Sequence, residues 1–197
     1  NGLEYFIIPG CLHHQSELEE LHQQAFNFWK TFWNDVFIQN GCPGNLNEDN
    51  FLRQNMICLL KSKDEIAGMH LYSLYNLESP ACINHSYIKG NFNDDYITKL
   101  RQSGVKYVMS LEYLTVNPNW RKRSTGVSLG DVFAGLSAEV LKSVNYDSSI
   151  APSRSDLGVT SMACDIGGEV VVAGIELHKT MCDLIAIRRS NIKNHPD

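Results

Sequence analysis

The segment 106–128 constrains the fold of this chain more than any other part of its sequence. Residues 106–116 read as a β-strand, and the Asn-Pro pair at 117–118 should end it because proline cannot donate to a β-ladder. The basic run 121–123 follows, and apolar residues then recur at helical spacing from 127 to 142. The sequence therefore predicts a strand, a basic loop and the start of a helix in direct succession.

This arrangement is suited to binding phosphate. Backbone N–H groups at a helix start have no partner within the helix and lie at the positive end of its dipole. The three basic side chains at 121–123 would add charge-assisted hydrogen bonds. Gly126, Gly130 and Gly135 would keep the beginning of the helix slim enough for a ligand to approach. The alternative interpretation is a charged surface connection that binds nothing.

Hydrophobic periodicity and turn residues predict the remaining elements. A strand at 5–8 precedes a capping box of Ser16 and Glu19, which should open a long amphipathic helix to about residue 37. The apolar stripe of this helix is rich in aromatic residues, and core packing is its first interpretation, with a groove for an acyl chain as the alternative. Further strands are predicted at 55–60, 65–75, 149–151, 169–177 and 182–188, further helices near 96–104, 127–142 and 159–166, and a long loop at 78–93.

Interleaved helices and strands without a linker or repeat predict one α/β (α+β) domain over residues 1–197. The chain is 43% hydrophobic and 20% charged, as in ordinary globular proteins, and its apolar runs fall short of the roughly 20 residues of a membrane span. A net charge of −5 argues against nucleic acid as a partner. The six cysteines show no CxxC pair and no zinc spacing, so we expect no metal site and a reducing, cytoplasmic location. The sequence does not indicate the oligomeric state.

The segment 111–128 resembles the acetyl-coenzyme A motif of the GNAT superfamily of N-acyltransferases. The match consists of two stretches, Val116-Asn117-Pro118-Asn119-Trp120-Arg121 for the family's V-x-P-x-(W/Y)-R and Arg123-Ser124-Thr125-Gly126-Val127-Ser128 for its R/Q-x-x-G-x-G/A. The hairpin around 64–69 is similar to the family's second and third strands. The chain departs from the pattern in a slightly longer loop, in Ser128 at the last glycine or alanine, and in Ala163 or Cys164 where relatives often have a tyrosine acid.

The resemblance implies a mixed, mostly antiparallel sheet whose fourth and fifth strands splay apart, flanked by helices. It also implies an N-acetyltransferase that uses acetyl-CoA or another acyl-CoA as donor and a small-molecule or protein amine as acceptor. The donor would contact residues on the strand and in the basic loop. These residues are Leu114, Thr115, Val116, Arg121, Lys122, Arg123, Ser124, Thr125, Gly126, Val127 and Ser128.

Transfer by direct attack of an amine needs a proton acceptor and a proton source for the thiolate. Glu112 is the candidate base, because period-two alternation would put it on the same strand face as Leu114 and Val116, and relatives carry an acidic base in this region. A structural ion pair is the alternative role for Glu112. The histidines at 70, 85 and 178 are alternative bases, each with a structural role as the competing interpretation.

Three further side chains have two interpretations each. Cys164 could supply the proton to the leaving thiolate, or it could be a buried, inert thiol. Arg154 and Asp156 could bind a carboxylate of the acceptor, or they could form a local salt bridge with each other.

Two other functions fit the same residues. A long-chain N-acyltransferase, similar to N-acyl amino acid or acyl-homoserine lactone synthases, would take its acyl group from an acyl carrier protein. The aromatic first helix, the long basic loop and the missing tyrosine favour it. A catalytically weak acyl-CoA-binding regulatory module is the third possibility, since it would not need a general acid.

Overall fold

The computed structural model describes residues 2–12, 16–121, 126 and 128–193 of the 197-residue chain. The described residues form nine β-strands and seven α-helices. The strands are β1 (Glu4–Ile8), β2 (Met56–Lys61), β3 (Ile66–Tyr72), β4 (Leu74–Asn76), β5 (Tyr107–Ser110), β6 (Glu112–Val116), β7 (Ser148–Arg154), β8 (Glu169–Leu177) and β9 (Thr180–Arg188). The helices are α1 (Glu19–Gln39), α2 (Asp49–Leu52), α3 (Pro80–Ile83), α4 (Ser86–Asn91), α5 (Asp94–Gln102), α6 (Leu129–Val144) and α7 (Val159–Asp165).

Contacts within the chain group these elements into two compact units. The first unit comprises residues 1–73 and 111–133, and the second comprises residues 74–110 and 134–197. This grouping does not test the prediction of a single domain over 1–197, which stays a prediction.

The first unit contains an antiparallel sheet with the strand order β1-β2-β3-β6. Helix α1 packs on β3 and β6. Its buried residues Ala25 and Trp29 share one hydrophobic core with Ile57, Met69 and Leu71 of the sheet, and burial of such apolar surface is the main favourable term in folding. The aromatic stripe of α1 therefore packs the core, as its first interpretation predicted.

The second unit contains a sheet with the strand order β4-β5-β7-β9-β8. Strands β5 and β7 are parallel, whereas the other neighbouring pairs are antiparallel. Its core includes Tyr96 and Leu100 of α5, packed with Val108, Ile150 and Leu184 of three strands. The mixed, mostly antiparallel α/β arrangement predicted from the sequence is confirmed.

Helix α5 shows how local signals in the sequence fix an element. The side chain of Asn93 caps its N-terminus by accepting a hydrogen bond from the N–H of Tyr96 at 2.9 Å. Acidic residues occupy its first turn and basic residues its last turn, which complements the helix dipole. Gly104 follows at a φ of 85°, a conformation that glycine adopts without the steric cost of a Cβ atom.

The predicted strand over 106–116 is divided at Leu111. Its first part is β5 in the second sheet, and its second part is β6, which forms an edge of the first sheet. The register also slips within β6, because Thr115 lies opposite Met69 while Glu112 lies opposite Leu71. Three residue steps on β6 therefore match two on β3, which defines a β-bulge with one extra residue.

The prediction for the segment 78–93 is wrong. The segment 78–93 is not a loop but contains α3, with Pro80 in its first turn, and α4, whose N-cap is His85. Helix α1 begins at Glu19, directly after one turn of 3₁₀-helix over Ser16–Leu18. The Ser16 side chain lies outside the described part of the chain, so the predicted capping box stays a prediction.

Strand β8 lies at the edge of the second sheet and pairs with β9 with two shifts of register. Gly174 near its middle has a φ of 69°, and the Gly174 N–H donates to Asp183 Oδ1 of β9 at 3.1 Å. Val170 is 41% exposed.

Among the described helices, none is both long enough and apolar enough to cross a membrane.

Candidate donor-binding and catalytic site

Strand β6 ends in a tight turn that leads to the basic segment. The Oδ1 atom of Asn117 accepts a hydrogen bond from the N–H of Asn119 at 3.1 Å, and residues 118–120 form one turn of 3₁₀-helix. Arg121 follows and is exposed. The predicted end of the strand at the Asn-Pro pair is therefore confirmed.

The start of α6 is built as a capped helix N-terminus. Ser128 Oγ accepts a hydrogen bond from the N–H of Asp131 at 3.4 Å, so Ser128 acts as the cap. The N–H groups of Leu129 and Gly130 have no acceptor within a helix at these positions. Gly126 has a φ of 73° and is exposed. Asp131 is also exposed and adds a negative charge to this first turn.

The other predicted donor-binding residues of the loop cannot be placed. Lys122, Arg123, Ser124, Thr125 and Val127 lie outside the described residues. Their role in donor binding stays a prediction.

The bulge in β6 is centred on Tyr113, which has a φ of 55° although it is not a glycine. Its ring packs edge-on against Trp29 and Trp33 of α1, with centroid distances of 5.4 and 4.9 Å. Thr115 is fully buried, accepts a hydrogen bond at Oγ1 from Trp33 Nε1 at 2.8 Å, and donates from Oγ1 to the Tyr113 carbonyl at 2.8 Å. The helix α1 thus holds the bulge from one side, while Leu114 and Val116 remain partly exposed.

Glu112 is buried at the beginning of β6 and forms a bidentate ion pair with Arg53. Arg53 Nη1 donates to Oε1 at 3.0 Å and Nη2 donates to Oε2 at 2.5 Å. The side chains are 16% exposed for Arg53 and 2% exposed for Glu112. A pair of parallel charge-assisted hydrogen bonds is among the strongest interactions that a carboxylate can make.

Two uncharged side chains also belong to this network. Gln54 Nε2 donates to Glu112 Oε2 at 3.2 Å. Ser73 accepts from Arg53 Nη1 at 3.1 Å and donates to Gln54 Oε1 at 2.8 Å. Ser73 separates β3 from β4, and Glu112 directly follows the break between β5 and β6. The network therefore includes the residue between β3 and β4 and the first residue after the break between β5 and β6.

The predicted strand face of Glu112 is wrong. Because the bulge inserts one residue, Glu112 shares its face with Thr115, and both are buried, whereas Leu114 and Val116 are more exposed. The ion pair that was the alternative role for Glu112 is present. Sequence reasoning missed Arg53, Gln54 and Ser73, because no local pattern connects them to Glu112, which is 59 positions from Arg53.

The three candidate histidines have structural surroundings. His70 is buried, its Nδ1 lies 3.2 Å from the Tyr72 hydroxyl, and burial lowers the pKa of His70 to about 3. Such a weak base cannot take a proton from an alkylammonium near neutral pH. The His85 Nδ1 accepts a hydrogen bond from the Tyr87 N–H, and partial burial lowers the pKa of His178 in the β8–β9 turn.

The remaining candidates lie in the second unit. Arg154 and Asp156 form a bidentate salt bridge at 3.0 and 2.6 Å, which is the local pairing that was their alternative interpretation. Cys164 is a partly exposed free thiol in α7, and its role as an acid stays a prediction. Among the described residues, His, Cys, Asp and Glu side chains do not gather into a group that could hold a metal ion.

The fold is GNAT-like, and the similarity to solved structures extends over nearly the whole chain. Arylalkylamine N-acetyltransferase 2 from Aedes aegypti is similar with a TM-score of 0.60 and 13% sequence identity, over 96% of this chain and all (100%) of that chain. An acyl-CoA N-acyltransferase from Pseudomonas aeruginosa is similar with a TM-score of 0.59 and 9% identity, over 94% of this chain and 99% of that chain.

A third similar structure has a different type of product. FeeM, an N-acyl amino acid synthase from uncultured soil microbes, has a TM-score of 0.57 and 6% identity, over 96% of this chain and 93% of that chain. The sequence matches no protein-family profile and no curated protein sequence. At these identities the similarity defines the fold alone.

Proposed function

We propose that this protein is an N-acyltransferase that moves an acyl group from a coenzyme A thioester to an amine. Acetyl is the acyl group that we propose first. The observation that carries the proposal is a GNAT fold that extends over 94–96% of the chain in each of the three similar structures. The bulged strand, the tight turn and the capped helix follow one another in the segment whose sequence resembles the family's donor motif, and this order supports the proposal.

In the proposed reaction the neutral amine nitrogen attacks the thioester carbonyl carbon, and the carbon–sulfur bond breaks as the tetrahedral intermediate collapses. The amine loses one proton, and the coenzyme A thiolate gains one. The segment 121–128 would bind the donor phosphates, through its cationic side chains and the free N–H groups at the start of α6. The backbone of 114–116 would bind the pantetheine arm.

The identity of the proton acceptor is a separate prediction from the donor site. Glu112, His85, His178 and deprotonation by solvent stay candidates, whereas burial makes His70 too weak a base. The ion pair with Arg53 favours a structural role for Glu112.

The donor site is tested by calorimetric titration with coenzyme A. We expect the wild-type chain to bind, and Gly126→Asp to weaken binding severely through bulk and like-charge repulsion. Gly126→Asn is the matched control, because asparagine has the same shape without the charge and also tolerates a positive φ, here 73°. Equal affinity of the folded Asp variant and the wild type for coenzyme A would contradict the assignment of the donor site to 121–128.

A second candidate donor is a long acyl chain on an acyl carrier protein. The basic run 121–123 favours it, since it would suit an acidic carrier, and FeeM is an N-acyl amino acid synthase. Turnover of acetyl-CoA, a long-chain acyl-CoA and the same acyl chain on a carrier protein should be compared at two salt concentrations. Screening over about 8–10 Å would weaken carrier docking as salt rises. A clear preference for acetyl-CoA eliminates the carrier.

A further inference from the structure

Glu65 joins the β2–β3 hairpin to the turn that precedes the basic segment. Its backbone is fixed in the hairpin, because the N–H of Ser62 donates to the Glu65 carbonyl at 2.9 Å and the N–H of Glu65 donates to Ser62 Oγ at 3.2 Å. The side chain of Glu65 leaves this fixed turn and reaches residues 117–120.

The Glu65 carboxylate accepts three hydrogen bonds from that single turn. Trp120 Nε1 donates to Oε1 at 2.7 Å, and the Nδ2 atoms of Asn117 and Asn119 donate to Oε2 at 3.2 and 3.3 Å. All three donors are uncharged. Glu65 is partly exposed, as is Trp120, so the group is accessible to water at its edge but ordered by several bonds at once.

The backbone places the same two segments side by side. Val116 lies opposite Gly68 in the β3–β6 ladder, and the N–H of Asn117 continues the ladder by donating to the Ala67 carbonyl at 2.9 Å. Asn117 Nδ2 also donates to the Ile66 carbonyl at 3.0 Å. The turn is thus held to β3 by its first residue and to Glu65 by its last, Trp120, after which the chain continues directly into Arg121.

From this geometry we infer that Glu65 is a positioning residue for the donor-binding segment, acting through Trp120. The inference rests on the proposed function, since it assigns Glu65 to the coenzyme A site. In this assignment Glu65 acts through Trp120 and not by contact with coenzyme A. Its three bonds set the point in space from which the basic segment begins, so coenzyme A meets a segment whose start is already fixed, which lowers the ordering cost of binding.

The negative charge of Glu65 allows its positioning effect on coenzyme A binding to be distinguished from its electrostatic effect. A carboxylate near a phosphate site should repel coenzyme A, so removal of the charge alone would strengthen binding. Removal of a positioning group should instead weaken it. The two effects have opposite signs in the same variant.

The experiment is calorimetric titration of coenzyme A into a graded set of variants. Glu65→Ala removes all three bonds, Glu65→Gln keeps an oxygen for Trp120 but loses acceptors for the asparagines, and Asp64→Asn removes the charge of the exposed neighbouring residue. We expect the dissociation constant to rise about 10-fold or more for Glu65→Ala, about 3- to 10-fold for Glu65→Gln, and less than about 2-fold for Asp64→Asn, since each lost charge-assisted bond accounts for up to about a factor of ten.

Two further measurements make the outcome decisive. Trp120→Phe removes only the Nε1 donor and should weaken binding about 3- to 10-fold, which keeps the test open if Glu65→Ala does not fold. The kcat of folded variants, measured at saturating donor, should stay within about threefold of the wild type while the KM for donor rises, as expected for loss of binding common to ground and transition states.

Tighter binding by Glu65→Gln, or unchanged binding by folded Glu65→Ala and Trp120→Phe, would overturn the inference and leave the proposed function intact. Absence of coenzyme A binding in the wild-type chain would instead overturn the proposed function, and the inference with it.

Discussion

Removal of the Arg53 side chain should destabilise the protein far more than removal of a comparable arginine at the surface. Arg53→Met removes the ionic partner of the Glu112 carboxylate, which is 2% exposed and still accepts a hydrogen bond from Gln54 Nε2 at 3.2 Å. Breaking a buried ion pair by removing one partner costs about 3–5 kcal/mol. Because Gln54 still contributes one bond, we expect a loss near the lower value, about 3 kcal/mol.

Arg154→Met is the matched control. It removes an arginine from a bidentate pair of the same geometry, but Arg154 and Asp156 are 29% and 57% exposed. Exposed pairs contribute about 0–1 kcal/mol, since water screens them and competes for the same groups. Urea unfolding followed by circular dichroism gives both free energies of unfolding. Equal losses in the two variants would refute the argument that burial makes the Arg53–Glu112 pair important.

The double variant Arg53→Met/Glu112→Gln isolates the interaction. It should lose less stability than the sum of the two single variants, by about 0.5–3 kcal/mol, because no unpaired charge is left buried. The same Glu112→Gln variant separates structure from catalysis. A lost base predicts turnover that recovers as pH rises and free amine accumulates, whereas a lost ion pair predicts a defect that stays constant with pH. The buried, paired carboxylate favours the second result.

Two further predictions concern stability. Burial lowers the pKa of His70 from 6.5 to about 3, so between these pH values the unfolded chain binds a proton at His70 that the folded chain does not bind. The contribution of His70 to the free energy of unfolding is therefore fully present above pH 6.5. It should fall by about 1.4 kcal/mol per pH unit as the pH decreases towards 3. His70→Asn should flatten the pH dependence of urea unfolding, and parallel curves would contradict the assignment. A Cβ atom at Gly68 would lie 2.6 Å from Phe133 Cε2 and 2.7 Å from the Thr115 carbonyl oxygen, so Gly68→Ala should cost about 1–3 kcal/mol. Gly135→Ala is its control, because a Cβ there meets nothing within 4 Å and alanine favours the helix; similar unfolding midpoints for both variants would contradict the packing argument.

The parts of the fold that local chemistry controls could be predicted from the sequence. The Asn-Pro pair ends β6 and Gly104 follows the end of α5, because proline and glycine each act on the backbone within a few residues. The short helices α3 and α4 could not be predicted in this way. Isolated helices of one or two turns are not stable, and α4 depends on the burial of Ile88 in the core of the second unit.

The candidate site shows the same division more sharply. The order of strand, turn and helix was readable from residue types, whereas the face on which Glu112 lies was not. The period-two alternation of a strand predicts the face of a residue only if no residue is inserted. The bulge at Tyr113 inserts one, and because Tyr113 is not a glycine despite its φ of 55°, the sequence gives no sign of the bulge. The ion pair with Arg53 joins residues 59 positions apart, so only tertiary structure could identify it.

The irregular pairing of β8 also affects how the protein behaves at high concentration. A long edge strand with three consecutive valines would ordinarily be a template on which a second chain could add a strand and begin aggregation. Two register shifts and the turn in the backbone at Gly174 interrupt the row of outward N–H and C=O groups. The Gly174 N–H is already committed to the Asp183 carboxylate. An incoming strand would find no continuous, flat ladder to extend, so the exposed Val170 at this edge is less of an aggregation hazard than the run of valines alone would imply.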